Sequence, residues 1–181
     1  MTITYSLSEN DFLTHQLYGA SMSERIMKKR RRTRLIAPLA YVLIGLFYLI
    51  VSRQAAAIFL FVTAILWYLI YPLWERRRYV RHYQAYIREN FRDRIGKPLK
   101  LTIGEEDLFA EEGDIESKMP LSELGSMIEI SEAIYLKLKT GEAIVLPKSQ
   151  MENLGALKEK LKSLAAKLDI PYVLNDEWQW R

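Results

Sequence analysis

Two helix-length apolar runs dominate the pattern of the chain. Leu35 to Val51 is 17 residues without a charge, and Ala55 to Trp74 is 20. Only Ser52-Arg53-Gln54 separates them. At roughly 1.5 Å rise per residue the runs span about 26 and 30 Å as helices, against a hydrocarbon core of roughly 30 Å. Neither run has the polar stripe expected of a helix packed into a soluble core. The pattern predicts a transmembrane helical hairpin with segments 35–51 and 55–74. A buried hairpin of a soluble protein is the competing reading.

On both sides the period is helical. In "SENDFLTHQLYGASMSERIMKKRRR", Ser8 followed by Asp11 resembles an N-cap with an acid at N3, and a helix is expected to enter the membrane from here. Residues 1–34 thus read as a short alternating strand, "TITYSL", and a cytoplasmic amphipathic helix. Past Trp74 the helix is expected to continue over 75–95. It places Tyr79, Tyr83, Tyr86 and Ile87 on one face and Arg77, Arg81, Arg88 and Arg92 on another.

After Gly96 and Pro98 the period becomes two. "LKLTI" points Leu99, Leu101 and Ile103 one way. "DLFAEEGDIESKM" reads as a hairpin turning at Glu112-Gly113-Asp114. "SMIEIS" alternates with Ile128 and Ile130 inward, and "AIYLKLKTGEAIVLPK" is a second hairpin about Thr140-Gly141 with Leu136 and Leu138 on one face. Leu154, Leu157, Leu161, Leu164 and Leu168 then mark an amphipathic helix with a lysine-rich outer face. Residues 96–181 are expected to form a meander of five to six strands closed by that helix, a pleckstrin-homology-like (PH-like) plan. The amino-terminal strand is a candidate addition to the sheet. The fold class is therefore an α+β membrane protein: a transmembrane hairpin plus a small antiparallel β-domain.

Charge gives the hairpin a direction. From Arg25 to Arg94 there are 15 Lys/Arg against 3 Asp/Glu, a net of +12, whereas the remainder has 11 against 19, a net of −8. Lys28, Lys29, Arg30, Arg31, Arg32 and Arg34 precede the first run; Arg76, Arg77, Arg78 and Arg81 follow the second; the loop holds only Arg53. Under the positive-inside rule both termini are cytoplasmic. The clusters are read as topology signals that meet anionic lipid headgroups at the cytoplasmic face. Nucleic-acid binding does not predict two uncharged runs bracketed by cations. A secretory signal would begin near Met1, and a transit peptide would lack Glu9, Asp11 and Glu24.

Smaller features fit the hairpin. Pro38 is expected in the first turn of the first membrane helix, where a missing N–H costs little, and Pro72 near the end of the second. Tyr71 and Trp74 fall at one interface and Tyr48 at the other. Ala37, Ala40 and Gly45 on one helix, with Ala57 and Ala64 on the other, are candidates for close packing.

Candidate chemistry is sparse. The chain has no cysteine, which removes disulfides and thiolate metal sites. Its two histidines, His15 and His82, have no metal-ligand spacing. The densest acidic stretch, Glu105, Glu106, Asp107, Glu111, Glu112, Asp114 and Glu116, does not match an EF-hand loop and reads as solvated strand ends. No carboxylate, lysine or histidine lies within either apolar run, so an ion relay has no parts. Trp178 and Trp180, two residues apart, are expected on one side of a strand, either docking a partner or covering the domain's own edge. No cofactor, metal, nucleic acid or catalytic set is expected. A homo-oligomer is open, with nothing in the sequence to support it.

Several strings in order resemble the YcxB-like family of bacterial membrane proteins: "YSLSENDFL" at Tyr5–Leu13, the double span, "LTIGEEDLF" at Leu101–Phe109, "PLSELGSMIEISEAIYL" at Pro120–Leu136 and "IVLPKS" at Ile144–Ser149. A tryptophan common in that family before the Ser-Glu-Leu step is Leu121 here. The resemblance implies a two-span anchor with a cytosolic β-rich domain and no established activity. The expected role is a membrane-anchored interaction module of the bacterial inner membrane, binding a protein partner or a lipid headgroup. The alternatives are a small accessory subunit that contacts a larger membrane complex through the hairpin, and an enzyme on a membrane substrate, which the lack of a catalytic set disfavours.

Overall fold

The structure, a computed structural model, describes residues 1–113 and 115–180. It divides into two compact units. One comprises Met1–His15 and Tyr86–Gln179; the other comprises Gln16–Ala85 with Trp180.

The first unit is built on two four-stranded sheets. β1 (Thr2–Ser6), β2 (Pro98–Ile103), β3 (Asp107–Glu112) and β4 (Ile115–Pro120) form one, in that order and antiparallel throughout. β5 (Leu124–Glu129), β6 (Ala133–Leu138), β7 (Ala143–Pro147) and β8 (Tyr172–Leu174) form the other, in the order β7-β6-β5-β8. The amino-terminal strand does join the sheet: Thr2 pairs with Thr102 and Ser6 with Pro98. The α-amino group donates to the Ile103 carbonyl at 3.0 Å, and the Gln150 side chain donates to the Ser6 carbonyl at 2.6 Å while accepting from its N–H at 2.9 Å.

The expected single meander is thus corrected to two sheets. The strand that sequence periodicity missed is β8, three residues long and parallel to β5. A parallel neighbour needs a crossover, and α4 (Leu154–Leu168) supplies it. Asn153 caps α4 by accepting from the Ala156 N–H at 3.0 Å, and Asp169 ends it in the left-handed region at φ 52°. Leu157, Leu161, Leu164 and Ala165 form its buried face, as the leucine spacing predicts.

Leu101, Ile103, Leu108, Leu121, Met127, Ile130, Ile134, Tyr135, Leu136 and Leu146 complete the core. Leu121 fills a buried site at 2% exposure. The inward face of "SMIEIS" is corrected in part: Ile130 is buried as expected, but Ile128 is not. A register shift between Leu124 and Ser126 puts Met127 and Glu129 in fully buried positions and leaves Ile128 half-buried. The β3–β4 hairpin pairs Glu112 with Ile115 and turns through Gly113 at φ 62°; Asp114 lies outside the described residues. Gly141, at φ 97°, makes the second turn. Ser8 and Asp11 cap α1 (Glu9–Met22) reciprocally: the Ser8 N–H donates to Asp11 Oδ2 at 2.9 Å, and the Asp11 N–H to Ser8 Oγ at 3.2 Å. Phe12 packs on Phe91, and His15 lies edge-on to Tyr135.

The second unit is helical. The single entering helix expected from the sequence is broken at Ser23, which caps α2 (Glu24–Ile50). The second long helix is α3 (Gln54–Asn90), whose end from Tyr86 belongs to the β-rich unit. The first basic cluster and the first apolar run therefore share one helix. Pro38 and Pro72 are both helix-interior residues rather than terminal ones. The link between the helices turns through Ser52 at φ 60°. Gly45, Ala57 and Ala64 are buried, whereas Ala40 is exposed. A Cβ on Gly45 would lie 2.7 Å from the Phe61 ring, so the glycine lets α3 approach there.

Both long helices have the length and composition to cross a membrane. Their most apolar 18-residue windows are only 6% and 17% buried. Leu39, Leu43, Phe47, Phe59, Ile65 and Leu69 are among the large apolar side chains left uncovered.

Candidate functional site

Two polar constellations stand out, one in each unit. In the helical unit the basic clusters lie just outside the apolar runs, the first near the start of α2 and the second within α3. Lys28, Lys29, Arg31 and Arg32 of α2 are exposed, as are Arg76, Arg77, Arg78 and Arg81 of α3. Lys28 pairs with Glu24 one turn back at 3.2 Å, an exposed contact of little energetic weight. Arg30 and Arg34 are half-buried. Arg30 Nε donates to Glu75 Oε2 at 3.1 Å, and the Tyr71 hydroxyl reaches the other Glu75 oxygen at 3.5 Å. Arg34 lies over the Tyr68 ring at 4.1 Å and Arg78 near Trp74 at 5.4 Å.

Glu75 is 7% exposed. It sits one residue past the second apolar run, and its pairing with Arg30 across 45 positions leaves no trace in sequence periodicity. A cleft of about 540 Å³ opens beside it, lined among others by Lys29, Thr33, Tyr71, Arg78, Tyr79 and His82.

The tryptophans do not share a strand face. The segment after Leu174 is irregular; Trp178 is half-buried and Trp180 buried at 6% exposure. Trp180 lies against Arg30, whose guanidinium is 4.7 Å from its ring centroid, and 5.6 Å from the Tyr79 ring.

In the β-rich unit the constellation centres on Glu129, which is 2% exposed. Lys148 Nζ is 2.7 Å and Lys158 Nζ 2.5 Å from its Oε1, and the Tyr172 hydroxyl donates to its Oε2 at 2.5 Å. Lys148 also meets Asp176 at 3.3 Å. The residues come from β5, the turn after β7, α4 and β8. Burial alone would raise the Glu129 pKa, but hydrogen bonds from the two lysines and Tyr172 outweigh it and hold the carboxyl down to about 2. Tyr172 is pushed up from its ordinary value by burial and by the Glu129 carboxylate. Alternation assigns Glu129 to an outward position, and no sequence signal links it to lysines 19 and 29 residues on.

The acidic stretch is partly paired. Asp107 meets Lys118 at 2.9 Å, Glu111 meets Lys100 at 2.9 Å, and Glu112 meets Arg94 at 2.8 Å. Asp114 lies outside the described residues. Among the described residues no group of three or more acids or histidines is placed to hold a metal ion. His15 and His82 lie on different helices in different units.

These features define an α+β protein with two long apolar helices and antiparallel sheets. Within it, residues 103–161 match the family described as YcxB-like protein. The matched segment runs from the end of β2 into α4. It contains three of the resembling strings in whole or part, and Glu129, Lys148 and Lys158. Searches of curated proteins and of solved structures returned no match.

Proposed function

We propose that this protein is a membrane-anchored interaction module. α2 and α3 cross a bacterial inner membrane as a hairpin with both termini cytoplasmic. The β-rich unit is a PH-like domain that binds a protein partner or a lipid headgroup. The observation that carries this reading is the uncovered apolar surface of the two helices. Side chains such as Phe47 and Phe59, 60% and 70% exposed, would cost roughly 1.5–3 kcal/mol each to keep in water rather than in an apolar phase. A bilayer removes that cost.

Cations at both outer ends of the pair, with Arg53 alone in the link, support the orientation. Seven antiparallel strands in two sheets followed by an amphipathic helix support the PH-like plan, with β8 as an addition to it. The module is read as non-catalytic. Glu129, its deeply buried carboxylate, is held ionised between lysines as a clamp and is not poised near neutrality as a general acid or base would be.

Alkaline carbonate extraction of membranes holding the full chain tests the anchor. The protein is expected to stay wholly in the pellet; release into the supernatant would overturn the reading. Gel migration of the detergent-extracted chain as part of a larger assembly, lost on disrupting the hairpin alone, would instead favour an accessory subunit.

A further inference from the structure

We propose that the cleft between the basic stretches of α2 and α3 is a binding site for the phosphate of an anionic phospholipid headgroup. The inference rests on the hairpin crossing the membrane and names one ligand site within that reading.

Position comes first. On α2 the cleft is lined by Ile26, Lys29 and Thr33, and on α3 its lining extends from Tyr71 to Tyr83. The α2 residues lie just before the first charge-free run begins at Leu35, and the α3 residues lie on both sides of Trp74, where the second ends. In a membrane-spanning hairpin that level is the headgroup layer. The cleft, at about 540 Å³, admits a headgroup and its phosphate.

Charge comes second. Glu75 is the buried acid of this region, and it is already engaged: Arg30 pairs with it at 3.1 Å and Tyr71 approaches it at 3.5 Å. The Arg30–Glu75 pair cancels itself. Lys29 and Arg78, one on each helix, then leave the cleft with two cations that have no ion-pair partner among the described residues. A phosphate bridging them would accept a charge-assisted hydrogen bond from each helix.

Donor chemistry comes third. The Tyr79 hydroxyl and the His82 ring add further hydrogen-bonding groups to the same wall. The tyrosine rings give an apolar floor where glycerol and the first acyl carbons would lie. A zwitterionic headgroup carries its own ammonium group towards Lys29 and Arg78, so the site discriminates for anionic lipid. Arg25 and Arg92, exposed and outside both basic clusters, do not line the cleft and supply a control of equal charge.

Native mass spectrometry of the full chain, released from detergent micelles and titrated with phosphatidylglycerol or phosphatidylcholine, tests the site. One phosphatidylglycerol is expected to be retained in preference to phosphatidylcholine. Lys29→Gln with Arg78→Gln should weaken that retention about tenfold or more, while Arg25→Gln with Arg92→Gln, the same change in charge, should leave it within about twofold. Equal losses in the two double variants would overturn the inference in favour of a diffuse surface field. Competition by millimolar inorganic phosphate with no preference among lipids would overturn the lipid and assign the cleft to a soluble phosphate. Circular dichroism of each variant separates lost binding from lost folding. Carbonate-resistant membrane association without lipid preference would remove the site and leave the anchor standing.

Discussion

Glu129 meets two ammonium groups and a phenol in a position 2% exposed. Pairing offsets its desolvation, and removal of the charge leaves Lys148 and Lys158 facing each other. Glu129→Gln is expected to destabilise the folded chain by about 3–5 kcal/mol, read as a lower urea midpoint in detergent; an unchanged midpoint would mean the cluster is not a clamp. The pH dependence has a definite sign. The folded pKa of about 2 lies below the ordinary 4.5, so between these values the unfolded chain binds a proton that the folded chain does not. The contribution is complete above about pH 4.5 and is lost as pH falls through about 2. An acid titration of stability should show that loss in the native chain and lack it in Glu129→Gln. None of this was legible in the sequence. A lone glutamate within an alternating strand reads as outward, and the register shift that buries it depends on pairing with β6. The Ser8–Asp11 cap, by contrast, is a local pattern and was readable from four residues.

At the scale of elements, helices and hairpins were legible because their periods are intrinsic to the chain. α4 announces itself by leucine spacing, and the β3–β4 turn by Gly113. Helix ends were less legible. Ser23 breaks α1 from α2 four residues past Gly19, which stays helical, with no glycine or proline at the break itself, and Pro38 is absorbed into a helix interior. β8 was missed because three residues carry no periodicity and its pairing with β5 is parallel and remote. The small residues Gly45, Ala57 and Ala64 do mark a seam. Gly45→Val is expected to weaken the packing of α2 on α3 by about 1–3 kcal/mol, since even a Cβ there meets the Phe61 ring at 2.7 Å. Adding Phe61→Ala should recover part of the loss. Thermal unfolding in detergent of the two single variants and the double variant measures this; strict additivity would show that the two residues do not share the contact.

At the scale of the whole molecule, the apolar and charged runs were legible at once, because a bilayer reads length and charge rather than detailed packing. What the β-rich unit binds was not, since a binding surface depends on side chains gathered from distant strands. The central claim is therefore topological: two apolar helices cross a membrane and leave everything else on one side. The chain has no cysteine, so single cysteines can report on it without background. Thr4, Arg53 and Ser149 are all exposed. Each replaced in turn by cysteine, and treated in intact cells with a membrane-impermeant thiol reagent, gives the most direct test. The account predicts labelling at position 53 alone, with positions 4 and 149 labelled only after lysis. Labelling of position 4 or 149 in intact cells would contradict it.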